Sequence, residues 1–333
     1  MTPQTMRAAV LYDVEDLRIE ERPVPAIADG EVLVRVRACG ICSGDVMPWY
    51  IRRKAPLVLG HEPAGVVEAT SGETAFAVGD RVFVHHHAPC FACRACLRGD
   101  HVQCATWRAS KIDPGGIAEY FRVPRENLRD TLRLPENVSF ADASLVEPLA
   151  CVVKSLRRSG VSAGDRLYVI GLGVMGLLHV LAAQHLGAEV FGSDFLAPRR
   201  DAAARIGATA FHPDDASSAL GAGADAVICG PGTAPAMRAA FEAAAPGGTV
   251  VMFTPFSPET SLEADPARFY FSDLRLVASY SCGPADTRAS LALIGAGVVT
   301  AEKVGAELIS LDDVPRAYRD LAQSRIVKPI VCF

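Results

Sequence analysis

The sequence lacks an excess of charge of either sign, a secretory-type start, an unbroken apolar span and any internal repeat. Lys and Arg number 33 against 38 Asp and Glu, a formal net charge of −5 over 333 residues. No electrostatic footprint for nucleic acid or for an anionic membrane follows from that balance. Met1 to Val10 carry no apolar run after a basic start, and acids arrive by Asp13, so a cytoplasmic protein is expected. The longest apolar stretch, Leu167 to Ala183, approaches membrane-spanning length. Gly171, Gly173 and Gly176 interrupt it, His179 sits inside it, and Gln184 and His185 end it. A strand turning tightly into a helix accounts for it, and no membrane partner is expected.

What is present is an ordinary globular composition, 50% hydrophobic and 21% charged, with length for about two domains. Residues 1–150 carry short β-type runs, such as Val32-Leu33-Val34-Arg35-Val36 and Val82-Phe83-Val84. Turn signals bound them, among them Ala28-Asp29-Gly30 and Asp113-Pro114-Gly115-Gly116. That pattern predicts an antiparallel, barrel-like region. Residues 151–284 alternate apolar strands with alanine-rich helices: Leu167–Ile170, a helix to Leu186, Glu189–Gly192, a helix from Pro198 to Gly207, then Asp225–Cys229 and Gly248–Phe253. Such βαβ alternation predicts a doubly wound parallel sheet, so the fold class is α/β. Residues 285–333, with two helices and a last strand, are too few to stand alone and are expected to rejoin the first region.

Four of the ten cysteines crowd into one loop: Cys90, Cys93, Cys96 and Cys104 read C-x2-C-x2-C-x7-C. Without an export signal this spacing points to a metal rather than to disulfides. Four thiolates suit a closed tetrahedral zinc site with no position for substrate, hence a structural ion. Elsewhere Cys42 lies in Cys39-Gly40-Ile41-Cys42-Ser43-Gly44-Asp45, His61 and Glu62 follow Gly60, and Glu147 opens Glu147-Pro148-Leu149-Ala150. Singly each is weak. Together, a thiol, an imidazole and carboxylates at turns beside β-runs suit a catalytic zinc with an open position.

Gly171-Leu172-Gly173-Val174-Met175-Gly176 is G-x-G-x-x-G, placed after an apolar strand and before a helix, with Asp194 ending the next strand. That context is what the dinucleotide fingerprint requires. The helix N-terminus would hold a pyrophosphate. Asp194 would accept hydrogen bonds from the adenosine ribose and repel a 2′-phosphate, favouring NAD over NADP. Arg199 and Arg200 pull the other way, since either could reach a 2′-phosphate.

In this order, Gly60-His61-Glu62, the four-cysteine loop and the glycine turn resemble the zinc-dependent medium-chain dehydrogenases. The chain is more similar to their polyol and threonine dehydrogenase branch, because Glu147-Pro148-Leu149 stands where liver-type alcohol dehydrogenases carry a cysteine ligand. The resemblance implies a GroES-like catalytic domain, a Rossmann domain and a homodimer or homotetramer. It makes Cys42 and His61 zinc ligands, with Glu62, Glu147 or both completing the sphere. Asp45 would orient the zinc-bound imidazole, and Lys328 would contact the cofactor pyrophosphate. One departure stands out. The family usually carries Ser or Thr two residues after the first ligand cysteine, where this chain has Gly44. Ser43, a bound water, Tyr50 or the triplet His85-His86-His87 are the alternatives for carrying the proton, and the triplet reads equally well as a partly exposed strand end. Cys39, Cys151, Cys229, Cys282 and Cys332 are read as packing.

The expected chemistry is reversible hydride transfer between a small secondary alcohol or its ketone and NAD, with two zinc ions per chain. Two other readings stay open. One is reduction of an activated C=C or C=N bond, motivated by the missing relay hydroxyl. The other is a zinc-stabilised nucleotide-binding protein without turnover.

Overall fold

The computed structural model describes residues 2–333, which divide into two compact units. One comprises residues 2–150 with 282–333, the other residues 151–281.

In the first unit, strand Val32–Gly40 organises a seven-stranded sheet. Val34 and Val36 are buried while Arg35 and Arg37 between and after them are only partly so, the period-two pattern of a strand with one core-facing side. Its antiparallel neighbours are Pro63–Thr70, Tyr120–Val123 and Lys328–Cys332, and Arg81–Val84 and Thr131–Arg133 continue the sheet. A smaller three-stranded sheet joins Asp16–Pro23, Thr5–Asp13 and Leu57–Val58. One pair departs from the antiparallel expectation: Ala306–Ile309 runs parallel to Lys328–Cys332, joined by the helix Val314–Ala322. The core that holds this unit together includes Val34, Ile41, Leu59, Ile117 and Phe121, with Val314, Tyr318 and Val331 from the returning segment.

Register decides what these strands bring together. Cys39 pairs with Pro63, and Gly40 with Ile330. In antiparallel pairing, residues just past the end of one strand lie beside residues just before the start of its neighbour. Cys42, His61-Glu62 and Lys328, far apart in sequence, therefore arrive at one end of the sheet.

The second unit is a six-stranded, all-parallel sheet. Counted within the unit, its strands are Arg166–Ile170, Glu189–Ser193, Thr209–Phe211, Ala224–Cys229, Ala244–Met252 and Arg275–Ala278, in spatial order 3-2-1-4-5-6. That is the order of a dinucleotide-binding doubly wound sheet. The central strands are buried apolar runs, as helices on both faces demand. Two edge strands, Thr209–Phe211 and Arg275–Ala278, are short and half-exposed, so neither alternation nor an apolar run announces them in the sequence. Among the described residues no helix is long and apolar enough to cross a membrane.

Candidate active site

Cys42, His61 and Glu62 each bring a ligand atom within 4.8 Å of the others. Cys42 caps the short turn Ser43–Val46, its sulfur accepting from the Gly44 amide at 3.3 Å. Asp45 in that turn is buried, and its Oδ2 stands 3.5 Å from His61 Nδ1, within ion-pair reach. Tyr318, from the returning segment, pins the turn by donating to the Asp45 carbonyl at 2.7 Å. Burial works to strip His61 of its proton, yet Asp45 and Cys42 outweigh it and hold the imidazole well above its ordinary pKa. A site that stabilises a proton there is an electronegative one.

Glu62 is fully buried, and burial raises its carboxyl despite the opposing ammonium of Lys328. One oxygen accepts from Lys328 Nζ, which also donates to the Ile41 carbonyl at 3.2 Å. The other, Oε1, is buried with no hydrogen-bond partner, as is Asp45 Oδ2. Buried anionic oxygens without donors are costly, and a cation beside a thiol and an imidazole relieves that cost. The donor set thus fits zinc. Lys328 is 1% exposed, and its ammonium pairs with Glu62.

Glu147, expected with Cys42 and His61, acts electrostatically on both His61 and Glu62. It is buried in the first turn of the helix Val146–Ser159, and its carboxylate lies within 4.8 Å of ligand atoms of His85 and His86. The histidine triplet follows the end of the strand Arg81–Val84, with His86 and His87 half-buried. His85 is fully buried, and the His86 ring lies 5.0 Å from that of His61 and 4.3 Å from that of His87. Burial, then its histidine neighbours, keep His86 well below the ordinary imidazole range, so it is neutral. Ser43 is half-buried directly after Cys42, and Tyr50 is occupied by Lys54, which donates to its hydroxyl at 2.7 Å. Cys282 is more than packing: its sulfur lies 3.6 Å from His85 Nε2.

The four-cysteine loop brings all four sulfurs within 4.8 Å of one another. Cys93 and Cys96 sulfurs are 3.5 Å apart, Cys90 and Cys96 sulfurs 3.8 Å. Sulfurs at 2.3 Å around a tetrahedral zinc are separated by about 3.8 Å. Burial opposes ionisation of Cys104, but backbone N–H groups of Cys90 and Trp107 bring its pKa down to about 6, so part of the needed negative charge is already stabilised. The loop fits zinc with no vacant side.

In the second unit the glycine turn joins Arg166–Ile170 to the helix Val174–His185. Gly171 has φ +89°, and a methyl on Gly176 would strike the Gly171 carbonyl, so the helix packs against the turn only with glycine there. The Gly173 cap offers no side chain to the first-turn amides, which leaves them for an anion. Asp194 Oδ2 accepts from the Leu172 amide at 2.9 Å, its Oδ1 from the Leu196 amide at 2.9 Å, and Arg199 stands 3.4 Å from it. Arg200 donates to the Asp194 carbonyl at 2.8 Å.

Two family models match the chain: an alcohol dehydrogenase GroES-like domain over residues 28–136 and a zinc-binding dehydrogenase domain over residues 174–296. Together they span more than half of it. The chain belongs to the zinc-dependent alcohol dehydrogenase family. It is similar to the probable D-xylulose reductase A of Aspergillus clavatus, 29% identical over 353 residues that cover 99% of this chain and 97% of the relative. Among solved structures it resembles a putative zinc-binding dehydrogenase from Sinorhizobium meliloti bound to NADP, with TM-score 0.89, 29% identity and coverage of 99% and 100%. It also resembles alcohol dehydrogenase TADH from Thermus sp. ATN1, with TM-score 0.88, 27% identity and coverage of 98% and 100%. As a member of the zinc-dependent alcohol dehydrogenases the chain is an oxidoreductase that uses zinc and a nicotinamide dinucleotide. The double-bond reductase and the protein without turnover lose their support.

Proposed function

We propose that this dehydrogenase oxidises polyols, or closely related hydroxylated secondary alcohols such as sugar derivatives and amino alcohols, reversibly to ketones, with NAD as the preferred dinucleotide. The observation that carries the reading is the convergence of Cys42, His61 and Glu62, with an unpartnered oxygen of Glu62, at one end of the first unit's sheet. The names of its fungal relatives, D-xylulose reductases, support a polyol as the substrate class.

Two zinc ions per chain follow from two ligand sets of different character. Cys42 and His61, with Glu62, Glu147 or both, would hold a catalytic ion, and Cys90, Cys93, Cys96 and Cys104 a structural one. When bound, the former supplies Lewis acidity toward an alcohol oxygen, and the dinucleotide supplies a hydride acceptor. Asp45 fixes the His61 tautomer by facing Nδ1, leaving Nε2 as the ligand atom. Lys328 opposes the burial that raises the Glu62 carboxyl. Ser43, the hydroxyl beside Cys42, or a bound water would relay the substrate proton onward to solvent. The amides after Gly173 hold the pyrophosphate, and Asp194 accepts from the adenosine ribose. Its neighbour Arg199 leaves less repulsion toward a 2′-phosphate than an isolated carboxylate would.

We place the enzyme in the cytoplasm as a homodimer or homotetramer. The edge strand Arg275–Ala278 is unpaired on its outer side, and Tyr270 and Phe271 next to it are 77% and 82% exposed. Edges of that kind invite pairing with a second copy. The test of function is reduced-dinucleotide formation across pentitols, hexitols, inositols, amino alcohols and simple secondary alcohols, each with NAD and with NADP. We expect the highest kcat/KM for a polyol with NAD. Turnover restricted to simple alcohols overturns the substrate class, and higher kcat/KM with NADP overturns the cofactor preference.

A further inference from the structure

One segment connects the two sides of the pocket and carries charge of a single sign. Between Asp45 and Glu62 the chain holds Arg52, Arg53 and Lys54 and no carboxylate, in a protein whose net charge is −5. The site itself fixes both ends of this segment: the turn of Cys42 and Asp45 precedes it, and His61 follows it. The short helix Pro48–Ile51 continues from that turn, and the amides of Tyr50 and the fully buried Ile51 both donate to the Met47 carbonyl at 3.0 Å. The cations are not used alike. Arg52 pairs with Asp13 at 3.0 Å. Among the described residues neither Arg53 nor Lys54 pairs with a carboxylate, and both lie over aromatic rings instead. The Arg53 guanidinium stands 5.8 Å from the Trp49 ring centroid, and the Lys54 ammonium 4.0 Å from that of Tyr50, whose hydroxyl accepts from it at 2.7 Å. The two rings meet edge to face, 5.7 Å between centroids. Contact with a ring face orients a cation without neutralising it and leaves its other N–H groups open to an anion. Burial, the neighbouring histidines and, after them, Lys54 hold His86 and His87 below the ordinary imidazole range, so its charge is felt at the pocket wall.

We propose that Arg53 and Lys54 form an anion subsite at the rim of the Cys42–His61–Glu62 pocket, and that the preferred substrate is a polyol carrying a terminal phosphate monoester, an inference that rests on the polyol reading above. Two features select the phosphate over a carboxylate. First, two cations on adjacent rings match the charge of about −1.5 to −2 that a phosphate monoester carries at neutral pH, whereas a carboxylate carries one. Second, a phosphate offers three acceptor oxygens, enough for the planar fork of Arg53 and the ammonium of Lys54 together. A polyol chain sets its phosphate apart from the carbinol that reacts, so the anion can rest on the rim while the alcohol oxygen enters the pocket. The phosphate then fixes which carbinol is presented, since binding at a remote group orients the reacting one.

The test is kcat/KM, at saturating dinucleotide, for a pentitol and a hexitol, each as the free polyol, its terminal phosphate monoester and its terminal carboxylate. The phosphate should exceed the free polyol by about 10- to 100-fold, the worth of one or two hydrogen bonds to charged groups. That advantage should shrink as salt is added, because the subsite is exposed. Lys54→Met and Arg53→Met should each cut the phosphate-to-polyol ratio by about 10-fold through KM for the phosphate. Arg52→Met, which removes a cation already paired, should keep the wild-type ratio. A wild-type enzyme that prefers the free polyol overturns the anion subsite and leaves the polyol reading standing. Higher kcat/KM for the carboxylate overturns the phosphate class. A phosphate preference that survives both Lys54→Met and Arg53→Met overturns the assignment to those residues, and a rise confined to the dinucleotide KM in the same variants shows that they serve the cofactor instead. Oxidation of simple alcohols alone, with neither form of polyol turned over, overturns the polyol reading and this inference with it.

Discussion

The four-cysteine loop and the Cys42–His61–Glu62 pocket occupy the same unit and both suit a metal ion, but they are assembled in opposite ways. The loop draws all its ligands from residues 90–104, three of them at x2 spacing, and two of its sulfurs are half-buried. It needs little from the rest of the chain. The pocket draws on a turn after one strand, the start of another, and Lys328 from the last strand. Its carboxylates are buried and only partly satisfied. A closed set of like ligands satisfies an ion completely and stabilises the fold. A mixed, incompletely satisfied set leaves reactivity available at a cost in stability.

Cys42→Ser tests the pocket most severely. It should lower kcat/KM for alcohol oxidation by about 10³-fold or more, the loss of several kcal/mol of transition-state stabilisation, while the thermal midpoint moves little. Steady-state kinetics beside a melting curve check this, and near-normal activity would break the distinction between the two sets. The complementary change, Cys93→Ser, should do the reverse: zinc content falls, and the midpoint drops by about 10 °C, several kcal/mol in a domain of this size. The fraction still loaded with metal should turn over at the wild-type rate. An unchanged melt and zinc content would show that the loop binds nothing of structural consequence. Lys328→Met sharpens the comparison further, since it removes the partner of a buried carboxylate without touching a ligand. We expect destabilisation of about 3–5 kcal/mol in denaturant unfolding. A loss confined to dinucleotide affinity, with stability intact, would instead support the pyrophosphate role.

The two units also differ in how well they can be read in advance. In the doubly wound unit, Leu167–Ile170 lies within the observed strand Arg166–Ile170, and Asp225–Cys229 within Ala224–Cys229. Continuous apolar runs and helix-closing glycines are local signals that survive in a buried parallel sheet. Edge strands carry no such signal and were legible only through their pairing. In the strand-rich unit, the parallel pair Ala306–Ile309 with Lys328–Cys332 depends on contacts between segments, which period-two alternation does not encode.

The site shows the same division. Spacing alone identified the four-cysteine loop and the glycine turn, because in both the chemistry is completed by neighbours along the chain. Residue type alone suggested Cys42, His61 and Glu62, since few other combinations bind zinc and leave a position open. Only the folded chain could decide the rest. It paired Lys328 with Glu62, set Glu147 beside His85 and His86, and brought Asp130, Thr287 and Cys282 into one buried cluster. Those partners lie tens to hundreds of residues apart, and whether a buried polar group finds its counterpart is a property of packing rather than of any local pattern.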